Sequence, residues 1–243
     1  MSYADVVLAD NPTGFWPLDE DTGTTANDIS GNGFDGTYVD FGPLGTSSWR
    51  NNLTSVWVRT GDTRVEIPAS ATLSSHAGSN GLWSFDGWFK DTDGTNQQMV
   101  VTCAEFASAP GEYEFLVYAT GDNIVAEAAN DTNSALVTTA TAADARPVGQ
   151  WYHLAYTYDR AAAEARLYIN GAEVASDTTM SGVTTYTGEV WRLGARGDLR
   201  WDDIWDGSMS HVAMYDTALT ASQVLAHATY GLGRNRRSLG LRR

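Results

Sequence analysis

Apolar and polar residues alternate along much of the chain with a period of two, which is typical of β-strands. In residues 151–159 the even-numbered side chains are Tyr or Leu and fall on one face of the predicted strand. Residues 165–170 alternate in the same way and end at Asn170-Gly171, a pair that favours a tight hairpin turn because both positions need a positive φ. The segment 172–176 is then the returning strand. The same criteria predict further strands at 82–90, 97–103, 112–119, 123–129, 134–140, 190–194 and 207–215.

One helix is predicted, near the end of the chain. Thr220-Ala-Ser-Gln223 has the residues of a capping box, in which the Thr220 side chain and the Gln223 side chain each bond to the other's backbone amide. Val224, Leu225 and Ala228 supply an apolar stripe, and a glycine at 231 or 233 can end the helix. Many short strands, with 24 glycines in the chain, indicate an all-β fold: an antiparallel sandwich or barrel. No repeat or linker divides residues 1–233, so we expect one domain there and a separate tail at 234–243.

The charge of the chain is distributed unevenly. The formal net charge of the 243 residues is −15, but five arginines lie in the last ten residues, so residues 1–233 hold 10 cations against 30 anions, a net charge of −20. A surface this acidic repels nucleic acids and anionic lipids, which are therefore excluded as partners of the main domain. The single cysteine, Cys103, excludes an intramolecular disulfide and a cysteine-based zinc site. Residues 1–6 lack the basic and apolar regions of a signal peptide, so we expect none.

Four blocks of sequence carry motifs in a fixed order. The first contains Phe15-Trp-Pro-Leu-Asp-Glu20, and the third contains Leu167-Tyr-Ile-Asn-Gly171. Together the blocks resemble the LamG-type (laminin G-like) members of the concanavalin A-like lectin/glucanase superfamily. This resemblance implies a jelly-roll sandwich of two curved antiparallel sheets with one short C-terminal helix, and much less about function, since the fold hosts lectins, glucanases, adhesion modules and virion proteins. The blocks are residues 3–38, 83–90, 151–171 and 207–223.

The first block is most similar to versions found in bacteriophage tail and other virion proteins and in secreted bacterial proteins. With no visible signal peptide and no disulfide, the phage setting is favoured, because virion proteins assemble in a reducing cytosol. The resemblance therefore implies a minor tail protein or a capsid-surface protein of a virion, made in the host cytoplasm. We expect it to assemble with other virion proteins, as a homo-oligomer or in multiple copies, and to present a surface to host glycans. A secreted bacterial carbohydrate-binding lectin or adhesion module is the alternative, and a glycoside hydrolase is the third.

The carboxylates of the chain argue against an enzyme. Retaining glycosidases hold two carboxyl groups about 5–5.5 Å apart, and the glucanases that this sequence resembles carry a string of three acids on one strand. Here Glu112 and Glu114 have the nearest spacing, but no third acid follows. The adjacent Asp202 and Asp203 face opposite sides of any strand. We therefore expect a non-enzymatic protein without catalytic residues.

A loop before the last predicted strand has the residue types that bind sugars. Sugars stack their C–H faces on aromatic rings, while acidic and basic side chains bond to their hydroxyl groups. The same residue types also occur at protein interfaces, and buried tryptophans can simply fasten a loop, so glycan binding, a subunit contact and internal packing stay open. The residues of this predicted loop site are Arg196, Trp201, Asp202, Asp203 and Trp205.

Two further sites are expectations. Many members of the superfamily bind calcium through carboxylates at the rim, so the resemblance implies Asp19, Asp28 and Asp216 as ligands of calcium, the one cofactor left open. Asp28 is explained equally by an Asx-type turn that braces Ser30-Gly-Asn-Gly33. The tail is either a frayed terminus or a docking arm that orders on an acidic neighbour. Its arginines are Arg234, Arg236, Arg237, Arg242 and Arg243.

Overall fold

The structure is a computed structural model that describes two antiparallel β-sheets and two α-helices packed beside them. It describes residues 1–42, 44–47, 54–58, 63–68, 82–92, 98–104, 113–129, 136–140, 146–159, 161–179, 190–195 and 204–233.

The first sheet, sheet A, has eight strands within the described ranges. Seven of these strands follow one another across the sheet, and the eighth, β1 (Gly14–Trp16), pairs with β16 (Gly207–Tyr215) on the same edge as β5 (Thr54–Val58). In spatial order those seven are β14 (Ala172–Asp177), β13 (Glu164–Ile169), β12 (Trp151–Asp159), β7 (Leu82–Asp91), β16 (Gly207–Tyr215), β5 (Thr54–Val58) and β4 (Thr46–Ser47).

The second sheet, sheet B, also has eight strands in the described part of the chain, and neighbouring strands in both sheets run antiparallel. In spatial order they are β11 (Leu136–Ala140), β10 (Asn123–Ala129), β9 (Tyr113–Thr120), β8 (Gln98–Ala104), β15 (Trp191–Leu193), β6 (Arg64–Ile67), β3 (Gly36–Val39) and β2 (Thr25–Ala26).

Two helices flank the sheets, and a capping box starts each of them. Helix α2 (Ala221–Gly231) begins after Thr220 as predicted, because the Thr220 side chain accepts from the Gln223 amide and Gln223 bonds back to Thr220. Helix α1 (Tyr3–Leu8) was not predicted; Ser2 and Asp5 form its capping box. The two helices pack against each other. Neither described helix is long and apolar enough to cross a membrane.

The main core lies between the sheets. Trp83 of sheet A stacks on Trp191 of sheet B, with 5.6 Å between the ring centroids. Aromatic and branched side chains from both sheets complete this cluster, including Trp16, Phe89 and Leu154. The predicted all-β, concanavalin A-like jelly-roll sandwich with a short C-terminal helix is therefore confirmed.

A second apolar cluster covers the outer face of sheet A. Tyr3 and Val7 of α1 and Val224 of α2 pack there with Phe15 and Trp88 of the sheet. The sequence predicts a polar outer face for β12, but its residues 152–158 are all buried because the helices cover that face. Sheet A is therefore buried on both sides along its central strands.

Strand β16 contains a bulge at its centre. Ser210 pairs with Trp88 and Ala213 pairs with Asp86, so His211 and Val212 together oppose one residue of β7. His211 has a positive φ of 55°, and its amide donates to the Pro17 carbonyl at 2.9 Å. On the other edge of β16, β5 pairs with residues 207–209 and β1 pairs with residues 212–214.

Candidate functional site

A cavity of about 580 Å³ opens where the chain leaves β16. Its walls come from three separate parts of the chain: the end of α1 and the segment that follows it, the loop between β2 and β3, and the residue after β16. The cavity lies at the opposite end of β16 from Trp205, the one described residue of the predicted loop site. Its lining residues are Leu8, Asn11, Pro12, Thr13, Ser30, Asn32, Phe34 and Asp216.

Asp28 holds the loop that forms one wall of this cavity. Its two carboxylate oxygens accept hydrogen bonds from the amides of Phe15, Ser30 and Phe34, at 2.8–2.9 Å, and from the Ser30 hydroxyl at 2.8 Å. The Asn32 side chain adds a bond from Nδ2 to the Thr13 carbonyl, at 2.9 Å. These bonds fix the wall before any ligand arrives, which limits the entropy lost on binding.

Two polar side chains in the cavity have no hydrogen-bonding partner in the described part of the chain. Neither the Asp216 carboxylate nor the Asn11 side-chain amide has a hydrogen bond or an ion pair among the residues that the structure describes. A carboxylate accepts hydrogen bonds, and an amide both donates and accepts. Phe34 and Leu8 add apolar surface beside them. The arrangement offers hydrogen bonds and an aromatic contact to a ligand rich in hydroxyl groups.

The three predicted calcium ligands have different positions. Asp216 lines the cavity, and Asp28 serves as the turn brace. Asp19 is in neither place; partial loss of solvent around its carboxylate and the charge of Glu20 raise its pKa. They do not form a group of metal-ligating atoms in the described part of the chain. The Asx-type explanation of Asp28 is therefore right, because its four hydrogen bonds occupy both oxygens.

A buried network of acidic and histidine side chains lies between the helices and sheet A. His227 of α2 places Nδ1 2.5 Å from Asp86 Oδ2 and Nε2 2.9 Å from Asp10 Oδ2. His153 of β12 places Nε2 3.2 Å from the same Asp86 oxygen, and the Tyr215 hydroxyl donates to Asp86 Oδ1 at 3.2 Å. We call these five residues the Asp86 network.

Charge pairing sets the protonation of this network. Burial alone raises the pKa of Asp86, but the charge of His227 and the hydrogen bonds from His153 and His227 hold that pKa well below its ordinary value. Burial lowers the pKa of His227, but Asp86 and Asp10 outweigh it and raise that pKa above its ordinary value. The two carboxylates therefore favour the protonated form of His227.

The contacts of the Asp86 network have the spacing of hydrogen bonds and not that of metal ligands. The ligand atoms of Asp86, His153 and His227 lie within 4.8 Å of one another, which is close enough to suggest an ion. Metal–ligand bonds of about 2.0–2.2 Å in a tetrahedral site would separate the ligand atoms by about 3.3 Å or more. The 2.5 Å contact between His227 and Asp86 is too short for that. Asp86, His153 and His227 are also inaccessible to a substrate, since their side chains are fully buried.

Of the predicted loop site, Trp205 alone can be placed. Its side chain is fully buried in the core and contacts Phe89 edge-on, with the ring centroids 6.0 Å apart. Its assignment to a surface site for glycan or partner is therefore wrong, and the packing alternative is right. The other members, Arg196, Trp201, Asp202 and Asp203, lie outside the described residues, as do the arm arginines Arg234, Arg236, Arg237, Arg242 and Arg243.

Sequence reasoning missed His227, and the helix pattern could have found it. The predicted stripe contains Leu225, which is 51% exposed in the structure. The buried face of α2 is instead Val224, His227, Ala228 and Gly231, which follow the i, i+3, i+4, i+7 spacing of one helix face. A histidine on that face needs buried polar partners.

The comparisons with known proteins support the fold independently. Residues 59–225, more than half of the chain, match the Laminin_G_3 family of the concanavalin A-like lectin/glucanases superfamily. The chain belongs to this family. No curated protein matches the chain.

Several solved structures share the Laminin_G_3 architecture of this chain at low sequence identity. The botulinum neurotoxin serotype D ligand-binding domain in complex with N-acetylneuraminic acid matches with a TM-score of 0.67 and 12% identity, over 94% of this chain and 52% of that one. Domain 4 of AbnA, an extracellular GH43 arabinanase of Geobacillus stearothermophilus, in complex with arabinotriose, matches with a TM-score of 0.64 and 21% identity, over 90% of this chain and 98% of that one.

A sialidase is also among the structural matches. Trypanosoma rangeli sialidase in complex with the inhibitor DANA has a TM-score of 0.63 and 10% identity, over 89% of this chain and 32% of that one. The chain spans about half the length of the neurotoxin domains and a third of the sialidase. At these identities the likeness shows the fold alone.

Proposed function

We propose that this protein is a non-catalytic glycan-binding module whose binding site is the cavity beside Asp216. The observation that carries the proposal is the unpartnered Asp216 carboxylate and Asn11 amide in a cavity of about 580 Å³. Unpartnered polar groups that face a preformed wall and an aromatic side chain are the features with which proteins orient small polar ligands.

The neighbouring structures support this choice of ligand. The AbnA domain and the neurotoxin binding domain carry arabinotriose and N-acetylneuraminic acid in complexes that share the architecture of this chain. The AbnA domain is covered almost completely by the match, so the shared unit is a whole domain there. A sugar ligand is therefore the first class to test.

The carboxylates of the cavity argue against hydrolysis. Asp216 is the one acid among the described lining residues, whereas glycosidases use two carboxyl groups that flank the bond to be broken. The carboxylate of Asp28 is occupied by four hydrogen bonds, and Asp86 is buried with its histidine partners. The cavity is therefore assigned to binding, and the protein is proposed not to be an enzyme.

A glycan array tests this proposal directly. The full chain should bind at least one glycan, and Asp216→Ala should lose that binding while its melting temperature stays unchanged, because the Asp216 side chain has no described hydrogen bond or ion pair. Asp122→Asn, an exposed acid in the β9–β10 turn, is the matched control and should bind normally. Absence of binding at millimolar glycan, or binding that is unaffected by Asp216→Ala, would overturn the proposal.

We further propose that the module is part of a bacteriophage virion, where it assembles with other virion proteins in multiple copies. The support is the likeness of residues 3–38 to the opening block of virion proteins. In this setting residues 234–243 are a basic arm that docks on an acidic neighbour. Mass spectrometry of purified particles should detect the protein, and a chain lacking residues 234–243 should fail to be incorporated. Recovery of the protein from the culture medium, without particles, would favour a secreted lectin instead.

A further inference from the structure

The charge of the cavity distinguishes classes of sugar. Its described lining residues include one carboxylate and no arginine, lysine or histidine. The arginines in the described part of the chain are paired with carboxylates elsewhere; they are Arg64, Arg146, Arg166 and Arg192.

The one lysine of the chain, Lys90, is also far from the cavity. Lys90 of β7 pairs with Ser208, near the first residue of β16, whereas the cavity lies beyond the last residue of that strand. A ligand in the cavity therefore meets the Asp216 carboxylate with no described arginine or lysine to offset it, and the buried His227 already pairs with Asp86 and Asp10.

An acidic sugar and an uncharged sugar interact differently with this carboxylate. The hydroxyl groups of an uncharged sugar can donate to Asp216, and hydrogen bonds to a charged acceptor are stronger than those between neutral groups. The carboxylate of an acidic sugar brings a second negative charge into the same partly dehydrated space, where like charges repel strongly. No described lining residue can form the ion pair that would compensate.

The charge of the whole domain acts in the same direction. Residues 1–233 carry a net charge of −20, which slows the approach of anions at low ionic strength. Salt screens this long-range term over about 8–10 Å but leaves the short contact with Asp216 largely intact. The two contributions can therefore be separated by varying the salt concentration.

We propose that Asp216 makes this cavity selective for uncharged sugars over acidic sugars such as N-acetylneuraminic acid. The proposal rests on the glycan-binding function proposed above and names the class of ligand that the same site takes. It distinguishes this chain from the neurotoxin domain that was solved with N-acetylneuraminic acid, even though the two share an architecture.

Paired glycans provide the experiment. An array carries glycans that share a core and differ by one terminal N-acetylneuraminic acid, together with arabinotriose, and is read at about 50 mM and 300 mM salt. We expect the uncharged member of a bound pair to bind at least about tenfold more tightly at both salt concentrations, since one charge-assisted hydrogen bond corresponds to roughly that factor.

The isosteric variant Asp216→Asn separates charge from shape. It should weaken binding of the uncharged glycan about tenfold and reduce the difference in affinity between the uncharged and the sialylated member of a pair. The control Asp122→Asn should change neither affinity. Equal or tighter binding of sialylated glycans by the natural chain would overturn the selectivity and leave the glycan-binding function standing. A preference that persists unchanged in Asp216→Asn would also overturn it, because the charge would not be the cause. Absence of binding to every glycan would instead refute the proposed function.

Discussion

The Asp86 network and the cavity use similar side chains for opposite purposes. They also use neighbours in the chain: Asp10 and Tyr215 belong to the network, whereas the next residues, Asn11 and Asp216, line the cavity. Every polar atom of Asp86 is buried and bonded, and Asp216 has no described partner. A paired, buried carboxylate stabilises the fold, and an unpaired one at a cavity is available to a ligand.

The comparison predicts that one set of residues determines the stability of the fold and another set determines glycan binding. Substitutions in the Asp86 network should change the free energy of unfolding, because they leave a buried charge or donor without its partner. Substitutions at the unpartnered cavity residues should change binding alone.

The largest effect is expected for Asp86→Asn. The variant keeps the size of the side chain but removes the charge that faces His227, so we expect a loss of about 3 kcal/mol or more in the free energy of unfolding. Urea unfolding measures it, with Asp122→Asn as the control that should change stability by less than about 0.5 kcal/mol. A loss below about 1 kcal/mol for Asp86→Asn would mean that the network contributes little.

A smaller effect is expected from pH. Because the pKa of Asp86 is lowered from 3.8, its contribution is complete above that value and disappears as the pH falls through the lowered pKa. Because the pKa of His227 is raised from 6.5, its contribution is complete below 6.5 and disappears as the pH rises through the raised pKa. The contribution of the network to the free energy of unfolding should therefore be greatest between pH 3.8 and pH 6.5.

The variant His227→Gln tests this pH dependence. The difference in the free energy of unfolding between the natural chain and the variant should be constant in mildly acidic solution and shrink at alkaline pH. Urea unfolding at a series of pH values measures both curves. Parallel curves across the alkaline range would show that the charge on His227 does not stabilise the fold.

The smallest effect on stability is expected for Asp216→Asn. Since no described residue pairs with this carboxylate, we expect the free energy of unfolding to change by less than about 0.5 kcal/mol. Urea unfolding under the same conditions as for Asp86→Asn makes the comparison direct. A loss of unfolding free energy similar to that of Asp86→Asn would show that Asp216 also stabilises the fold, and the contrast between the cavity and the Asp86 network would be wrong.

The sequence predicts the long strands well, because regular alternation over many residues is a strong signal. Strands β10, β12 and β16 have the predicted bounds, and the Asn170-Gly171 turn has the predicted positive φ values of 52° and 80°. The short strands β1 to β6 were not predicted individually, since two to five residues carry too little periodicity. Helix α1 was missed for the same reason, although Ser2 and Asp5 already supply its capping box.

The candidate site was less predictable because long-range contacts create it. Asp216 and Asp28 were singled out as calcium ligands, and sequence spacing gives no indication that Asn11, Asn32 and Asp216 share a cavity. Trp205 was assigned to a surface loop because its neighbours in sequence are polar, yet its ring is in the core. The polarity of neighbouring residues therefore indicates whether a segment is exposed, but the fold determines whether one side chain in it is buried.

The bulge at His211 has a consequence for how the molecule opens. It lies where the partner of β16 changes from β5 to β1, so the two halves of this edge are held by hydrogen bonds to separate parts of the chain. Such segments can fray independently of one another. We expect the backbone amides of Gly14–Trp16 to exchange with solvent faster and more uniformly than those of β7. The end of the molecule that bears the cavity would then open locally while the hydrogen bonds in the middle of the sheet stay intact.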